Sequence, residues 1–368
     1  MRRLPIFLVI DVSESMVGEP LQQVGAGIRS MVQTLRRDPY ALETAYLSVV
    51  VFAGRVKTLV PLTDMASFYP PQLPLGGGTS LGAALTHLMS EIETKIVKTS
   101  AESKGDWKPI VFLFTDGAPT DDPEDAVAEW AAKYRTRANL VAVSVGNNAD
   151  LALLAQLTDQ VLLLNDAHPE SYQRFFNWIT ASIQTQSQRL DASADDRFRV
   201  ENLSADLVRK VSPDMRPRQR LDENFVVLTA RCGKTRMAYL IKYARERNAA
   251  GGGAQAGEEW PEFIGEETPA AAAAGEQPYV LAGAFAVPSP EEYEELTAAN
   301  YGATTISTGE LRGTPSCPCC GNPFGFAMCA CGNVHCLKGP GESVCPWCGK
   351  TGSYDFGTGD ADVTRALG

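Results

Sequence analysis

The chain has 368 residues, 44% hydrophobic and 21% charged, which excludes global disorder and exceeds what one compact domain holds. A net charge of −11 argues against a general nucleic-acid binder. No apolar run reaches the ~18 residues that a membrane span needs.

Met1-Arg2-Arg3 and the apolar run Leu4 to Ile10 imitate a secretory signal, but the run stops at Asp11 and no small-residue cleavage site follows. A buried first strand and a cytoplasmic protein are expected instead. From Pro5 to about Leu190, apolar runs alternate with amphipathic stretches. Ile6–Ile10, Tyr46–Phe52, Ile110–Phe114, Leu140–Val145 and Val161–Leu164 suit strands buried on both faces of a parallel sheet. Helices are predicted over Leu21–Arg36, Ser80–Thr99, Pro123–Arg137 and Glu170–Arg189. Asp122-Pro123-Glu124 carries a helix-start signal, with a cap, a proline and an acid in the first turn. Val56–Leu62 reads as an antiparallel edge strand. The pattern predicts an α/β fold, a doubly wound and mostly parallel sheet, over residues 1–190.

Residues 191–310 read as a β-rich middle region. Phe225-Val-Val-Leu-Thr-Ala and Met237-Ala-Tyr-Leu-Ile-Lys-Tyr form a predicted hairpin around Arg231–Arg236, with Cys232 as a turn or core cysteine. Between Arg197 and Arg247 there are 13 Lys/Arg against 6 Asp/Glu, so this stretch is basic in an acidic chain. A Gly/Ala/Glu-rich linker is expected over 248–278, then a strand over Tyr279–Val287 and an acidic helix over Pro290–Ala299. A Cys-rich module occupies 316–352, and 353–368 reads as a polar, flexible tail.

Two constellations carry chemistry. Asp11, Ser13 and Ser15 follow the first strand, Gly76-Gly-Gly-Thr79 precedes a helix, and Thr115-Asp116-Gly117 ends a later strand. In an open parallel sheet all three segments reach the carboxyl-end crevice. Two carboxylates and three hydroxyls make a hard oxygen set suited to Mg²⁺. Taken singly, Asp11 and Asp116 suit helix caps and the serines suit turns.

The second constellation is the cysteines, eight of which lie between Cys317 and Cys348. In a reducing compartment such a cluster points to a metal rather than to disulfides. Cys317-x-x-Cys320-Gly and Cys345-Pro-Trp-Cys348-Gly are knuckle turns, with Cys329-Ala-Cys331-Gly and His335-Cys336 between them. Two zinc ions need eight ligands and nine candidates exist, so either Cys319 or His335 is spare. Cys319 breaks the two-residue knuckle spacing, which favours the set Cys317, Cys320, Cys329, Cys331, His335, Cys336, Cys345 and Cys348. A single four-cysteine ribbon and an iron–sulfur cluster are the alternatives.

The oxygen motif, Asp11-x-Ser13-x-Ser15 with Thr79 and Thr115-Asp116-Gly117, resembles the von Willebrand factor A domain and its metal-ion-dependent adhesion site. The resemblance implies that Ser13, Ser15 and Thr79 ligate Mg²⁺ through hydroxyls and that Asp11 and Asp116 bind it directly or through water. Together with a C-terminal zinc module, the architecture resembles the TerY-type proteins of bacterial tellurium resistance and stress response. That resemblance implies a non-enzymatic adaptor working with a Ser/Thr kinase and a metal-dependent Ser/Thr phosphatase. Two rival readings are a metal-assisted hydrolase and a nucleic-acid adaptor using the basic middle and the zinc ribbon. His87 and His168 read as structural, and no nucleophile elbow, Walker lysine or kinase signature is present.

Overall fold

A strand with no charged residue before its last position needs cover on both faces. β1 (Leu4–Asp11) is such a strand and is buried throughout. Leu4, Ile6, Leu8 and Ile10 enter one apolar core, while Phe7 and Val9 enter another. The computed structural model describes residues 2–100, 102, 104–146, 149–164, 169–189, 208–210, 225–245, 278–298, 304–355 and 360–366.

In chain order β1 is followed by α1 (Glu19–Leu35), α2 (Pro39–Thr44), β2 (Ala45–Phe52) and the antiparallel edge strand β3 (Val56–Asp64). Then come α3 (Leu81–Lys95), β4 (Ile110–Thr115), α4 (Glu124–Glu129), β5 (Asn139–Val145), α5 (Leu151–Leu157), β6 (Val161–Leu164) and α6 (Pro169–Arg189). The sheet order is β3-β2-β1-β4-β5-β6-β7, where β7 (Val208–Lys210) runs antiparallel to β6. β1 pairs in parallel with both β2 and β4, so the winding reverses between β1 and β4. The loops after these two strands therefore open a crevice at the carboxyl edge, as a doubly wound sheet requires.

Three predicted helices are present with ends shifted by no more than about one turn. The helix expected over Pro123–Arg137 differs. α4 gives way to a π-helical turn, Trp130–Tyr134, closed by the Arg135 N–H donating to the Trp130 carbonyl at 3.0 Å. This turn stacks Trp130 on Tyr134 with centroids 5.8 Å apart, and the buried indole donates to the Leu157 carbonyl at 3.1 Å. The short helices α2 and α5 escape the periodicity reading. Each starts at an aspartate whose carboxylate accepts a backbone N–H, Asp38 from Ala41 and Asp150 from Leu153.

The segments that composition sets apart as a middle region and a Cys-rich module share one six-stranded sheet. β8 (Phe225–Arg231) and β9 (Ala238–Arg245) form the expected hairpin, and β10 (Tyr279–Ala286) extends it. α7 (Pro290–Leu296) and β11 (Thr304–Ser307) come next, then β12 (Leu311–Arg312), β13 (Phe324–Met328) and β14 (Val334–Leu337). The sheet order is β12-β10-β9-β8-β14-β13. The small ribbon of β15 (Gly341–Val344) and β16 (Thr351–Tyr354) holds the last knuckle turn. The C-terminal stretch is not the free tail its polar composition predicts. β17 (Asp362–Arg365) pairs with β11, Val363 is buried, and the Ala366 N–H donates to the Val227 carbonyl at 2.8 Å. The Gly/Ala/Glu linker lies outside the described residues, apart from Pro278, as does His168.

Helix α1 packs on α6 through Gly27. A Cβ at Gly27 would sit 2.0 Å from the Phe176 ring, whereas one at Gly25 would meet only Arg29 Nη1 at 3.5 Å and Leu73 Cδ1 at 3.9 Å. Gly27→Ala is predicted to lower stability by about 1–3 kcal/mol through overpacking. Gly25→Ala is predicted to raise it by about 0.5–1 kcal/mol through helix propensity. Urea unfolding of both variants checks the contrast, and equal effects would contradict this packing.

Candidate metal centres

The end of β1 places Asp11 beside β4, because Ile10 pairs with Phe114. The Asp11 carboxylate accepts the Ser13 N–H at 2.9 Å and the Thr115 hydroxyl at 2.7 Å. Burial pushes its pKa up to about 6 against these hydrogen bonds. Ser13 Oγ lies 3.0 Å from Ser15 Oγ, and Ser15 Oγ donates to Asp116 Oδ1 at 2.7 Å. Asp11, Ser13, Ser15 and Asp116 thus form one connected polar cluster of two carboxylates and two hydroxyls.

Thr79 reaches the same place from the loop before α3. A Cβ added at Gly117 would lie 3.8 Å from both Thr79 Oγ1 and Ser15 Oγ, so both hydroxyls border the space above that glycine. Thr79 Oγ1 is fully buried and makes no hydrogen bond. An unsatisfied buried hydroxyl costs roughly 1–3 kcal/mol, so its retention here calls for an additional partner. Hard oxygen donors, a space that Gly117 keeps open and an unsatisfied hydroxyl together fit a hard divalent cation.

The cysteines converge on two other points. Cys232, Cys317, Cys320 and Cys336 form one group, and Cys329, Cys331, Cys345 and Cys348 form the other, with the sulfurs in each group within 4.8 Å of one another. The Sγ separations are 3.7 Å for Cys320–Cys336 and 3.9 Å for Cys232–Cys336, Cys329–Cys348 and Cys331–Cys345. A tetrahedron with metal–sulfur bonds of ~2.3 Å has edges of about 3.8 Å, so each group can hold a zinc ion. Asn333 holds the Cys331 thiol down at about 6, favouring the thiolate that a metal needs.

Two sequence assignments are corrected. His335 is in neither group: its Nδ1 lies 3.1 Å from the Cys336 carbonyl and its Nε2 2.9 Å from Tyr354 Oη. A carbonyl only accepts, so Nδ1 carries the hydrogen and the Nε2 lone pair accepts from Tyr354. Burial favours this neutral ring, and no lone pair is left for a metal. Cys232, read from sequence as a turn or core cysteine, takes the vacated place. The Arg236 N–H donates to the Cys232 carbonyl, as Gly321 does to Cys317 and Gly349 to Cys345. Arg236 has φ +60°, against +74° at Gly321 and +72° at Gly349. The Cys232 turn is therefore a knuckle whose usual second cysteine and glycine are replaced by Thr235 and Arg236. That substitution is why spacing rules pass over it. Cys319 belongs to neither group.

With fold and sites in place, comparison with known proteins defines the class first: residues 6–177 match the von Willebrand factor type A domain. Residues 270–368 match the TerY-C metal binding domain. The chain therefore carries both domains and matches the TerY type, a von Willebrand A domain followed by a C-terminal metal-binding module. Cys232 lies outside the matched C-terminal span. Among solved structures, a von Willebrand factor type A protein from Catenulispora acidiphila is 16% identical over 50% of this chain and 43% of its own, with a TM-score of 0.38. Proximal thread matrix protein 1 from the mussel byssus, with a zinc-occupied MIDAS motif, is 21% identical over 50% of this chain and 48% of its own, with a TM-score of 0.36. The ArnB paralog VWA2 from Sulfolobus acidocaldarius is 13% identical, spans 100% of this chain and 66% of its own, and has a TM-score of 0.34. This chain thus covers less than half of the first two relatives.

Cys232→Ser is predicted to lower tightly held metal from two ions per chain to one, since it removes a ligand from one of the two groups. His335→Gln should leave both. Elemental analysis of the purified variants decides between them, and loss of an ion from the His335 variant alone would restore the original assignment.

Proposed function

We propose that the chain is a non-enzymatic adaptor that captures an acidic side chain of a protein partner. The observation that carries this reading is the convergence of Asp11, Ser13, Ser15 and Asp116 with the unsatisfied Thr79 hydroxyl. In this reading these five residues hold Mg²⁺, and the bound ion supplies an electrophilic position for an external carboxylate. Three hydroxyls donate less negative charge than carboxylates would, which leaves the cation attractive to an anion. The two cysteine groups would hold structural zinc, closed sites made entirely of protein ligands, and so give the partner-facing module its rigidity. The partners would be a Ser/Thr kinase and a metal-dependent Ser/Thr phosphatase, and the setting bacterial tellurium resistance or stress phospho-signalling, following the TerY resemblance.

The surroundings of the oxygen site support binding rather than turnover. His87 is engaged on the α3–β3 contact, with Nε2 2.7 Å from Thr58 Oγ1. Glu14, next to the serines, accepts the Tyr293 hydroxyl. Three basic residues of the hairpin have partners within the chain, which weighs against a nucleic-acid surface. The Arg231 guanidinium lies 4.2 Å over the Trp347 ring, Arg236 donates to the Pro346 carbonyl and Lys242 to the Ser15 carbonyl. No helix among the described residues is long and apolar enough to cross a membrane. Nine free cysteines support a reducing compartment, so a cytoplasmic location is part of the proposal.

Asp11→Ala is predicted to cut Mg²⁺ binding, measured by titration calorimetry, by at least tenfold. It should also abolish Mg²⁺-dependent recovery of partners in affinity purification. Chelation of Mg²⁺ should reproduce the loss in the wild type. Equal recovery from wild type, variant and chelated sample would overturn the proposed metal bridge.

A further inference from the structure

The loops that form the oxygen site are almost completely buried. Asp11, Ser13 and Thr79 are 0% exposed, Ser15 1% and Asp116 4%, and Gly76, Gly77, Gly78 and Gly117 are buried as well. A site that receives a side chain from another protein needs an open face. Here groups from the second domain lie against the loops that carry the donors.

Four hydrogen bonds tie the second domain to these loops. Tyr293 of α7 donates its hydroxyl to Glu14, inside the Asp11–Ser15 loop. Just after α7, Thr297 Oγ1 accepts the Gly77 N–H at 2.9 Å, and the Ala298 N–H donates to the Gly77 carbonyl at 3.4 Å. From β9, the buried Lys242 ammonium donates to the Ser15 carbonyl and lies 4.3 Å over the Phe225 ring. The glycines of the loop make this approach possible. A Cβ at Gly76 would stand 2.6 Å from Leu296 Cβ, and one at Gly77 2.9 Å from Thr297 Cγ2.

The geometry points to an intramolecular cover: α7 and Thr297–Ala298 close the oxygen-donor site beside the Ser15 carbonyl that Lys242 holds, and a partner's carboxylate enters only when α7 and Thr297–Ala298 withdraw. The second half of this inference rests on the proposed cation; the first half stands on the contacts alone. The cover's polar ties include the Lys57–Glu295 ion pair, with side chains 36% and 55% exposed, while Leu296, 1% exposed, shares one apolar core with Leu240 and Val287, and Phe285 and Tyr293 pack against that core. Exposed ion pairs hold weakly. Attachment to the same chain raises the local concentration of the cover, so weak contacts suffice to keep it closed while an external competitor can still displace it.

The test uses the full-length chain. Leu296→Asp places a charge at that buried position without altering any loop of the oxygen site, and Tyr293→Phe/Thr297→Val removes two polar contacts as a milder alternative. Hydrogen exchange reads the cover directly. Amides of residues 13–17 and 76–80 should exchange at least tenfold faster in Leu296→Asp and several-fold faster in the double variant, with β1 and β4 unchanged. Mn²⁺ bound in place of Mg²⁺ should relax solvent water at least twofold more strongly in Leu296→Asp, because the ion becomes open to exchange. Loop exchange at wild-type rates in the variants would overturn the cover, the double variant deciding if Leu296→Asp does not fold. Faster loop exchange with no Mn²⁺ binding in any folded form would instead overturn the cation reading and leave the cover in place.

Discussion

The carboxylate of Asp11 lies fully buried at the end of the central strand, and the crevice is organised around compensating it. β1 is held on both sides, by β2 and β4, so the charge cannot move toward water. The loop after β1 instead turns its own backbone back, with the Ser13 N–H on one carboxylate oxygen and the Thr115 hydroxyl on the other. Once Thr115 is committed to Asp11, the adjacent Asp116 takes its hydrogen bond from Ser15. Thr79, at the border of the same space, keeps a buried hydroxyl without a hydrogen-bond partner. Desolvation raises Asp11 to about 6, and the attraction of a cation at this place would oppose it.

The sulfur side is built on a different constraint. Thiols have little use as hydrogen-bonding glue, yet eight of them sit at tetrahedral-edge separations in two groups. One group is local, made of two turns within Cys329–Cys348. The other ties Cys232, in the β8–β9 turn, to residues 85 and more positions later, and it lies beside the parallel pairing of β8 with β14. Strand pairing and thiol grouping therefore fuse what composition separates as a middle region and a Cys-rich module. The interruption at 248–278 is an insertion in sequence rather than a boundary between independent sheets.

Much of this was legible in the sequence, for identifiable reasons. Parallel strands buried on both faces leave continuous apolar runs, and each of the five was readable. The oxygen residues stood at strand ends, where a doubly wound sheet collects function. Local signals gave less where tertiary context decided. The Trp130–Tyr134 turn widens so that two aromatic rings stack in the core, a demand that helical periodicity does not encode. Cys232 was hidden because its turn lacks the second cysteine and the glycine by which knuckles are recognised. His335 misled because a histidine beside a cysteine has the right chemistry for zinc, but its two nitrogens are taken by the Cys336 carbonyl and Tyr354. The contact of α7 and Thr297 with the loops of the oxygen site had no sequence signal at all: Pro290–Ala299 read only as an acidic helix.

The hairpin β8–β9 connects the two kinds of site. Its turn carries Cys232, its first strand pairs with β14 just before Cys336, and its second strand carries Lys242, which reaches the Ser15 carbonyl. Lys242 pairs with Val227 across the hairpin, whose backbone carbonyl in turn receives the Ala366 N–H from beyond β17. One antiparallel unit, fixed at its turn by sulfur and at its side by the C-terminal strand, thus positions a cation against the loop that organises the oxygen donors. The sulfur group that contains Cys232 and the oxygen site are therefore joined by one continuous hairpin, although they differ in ligand chemistry and lie in different domains.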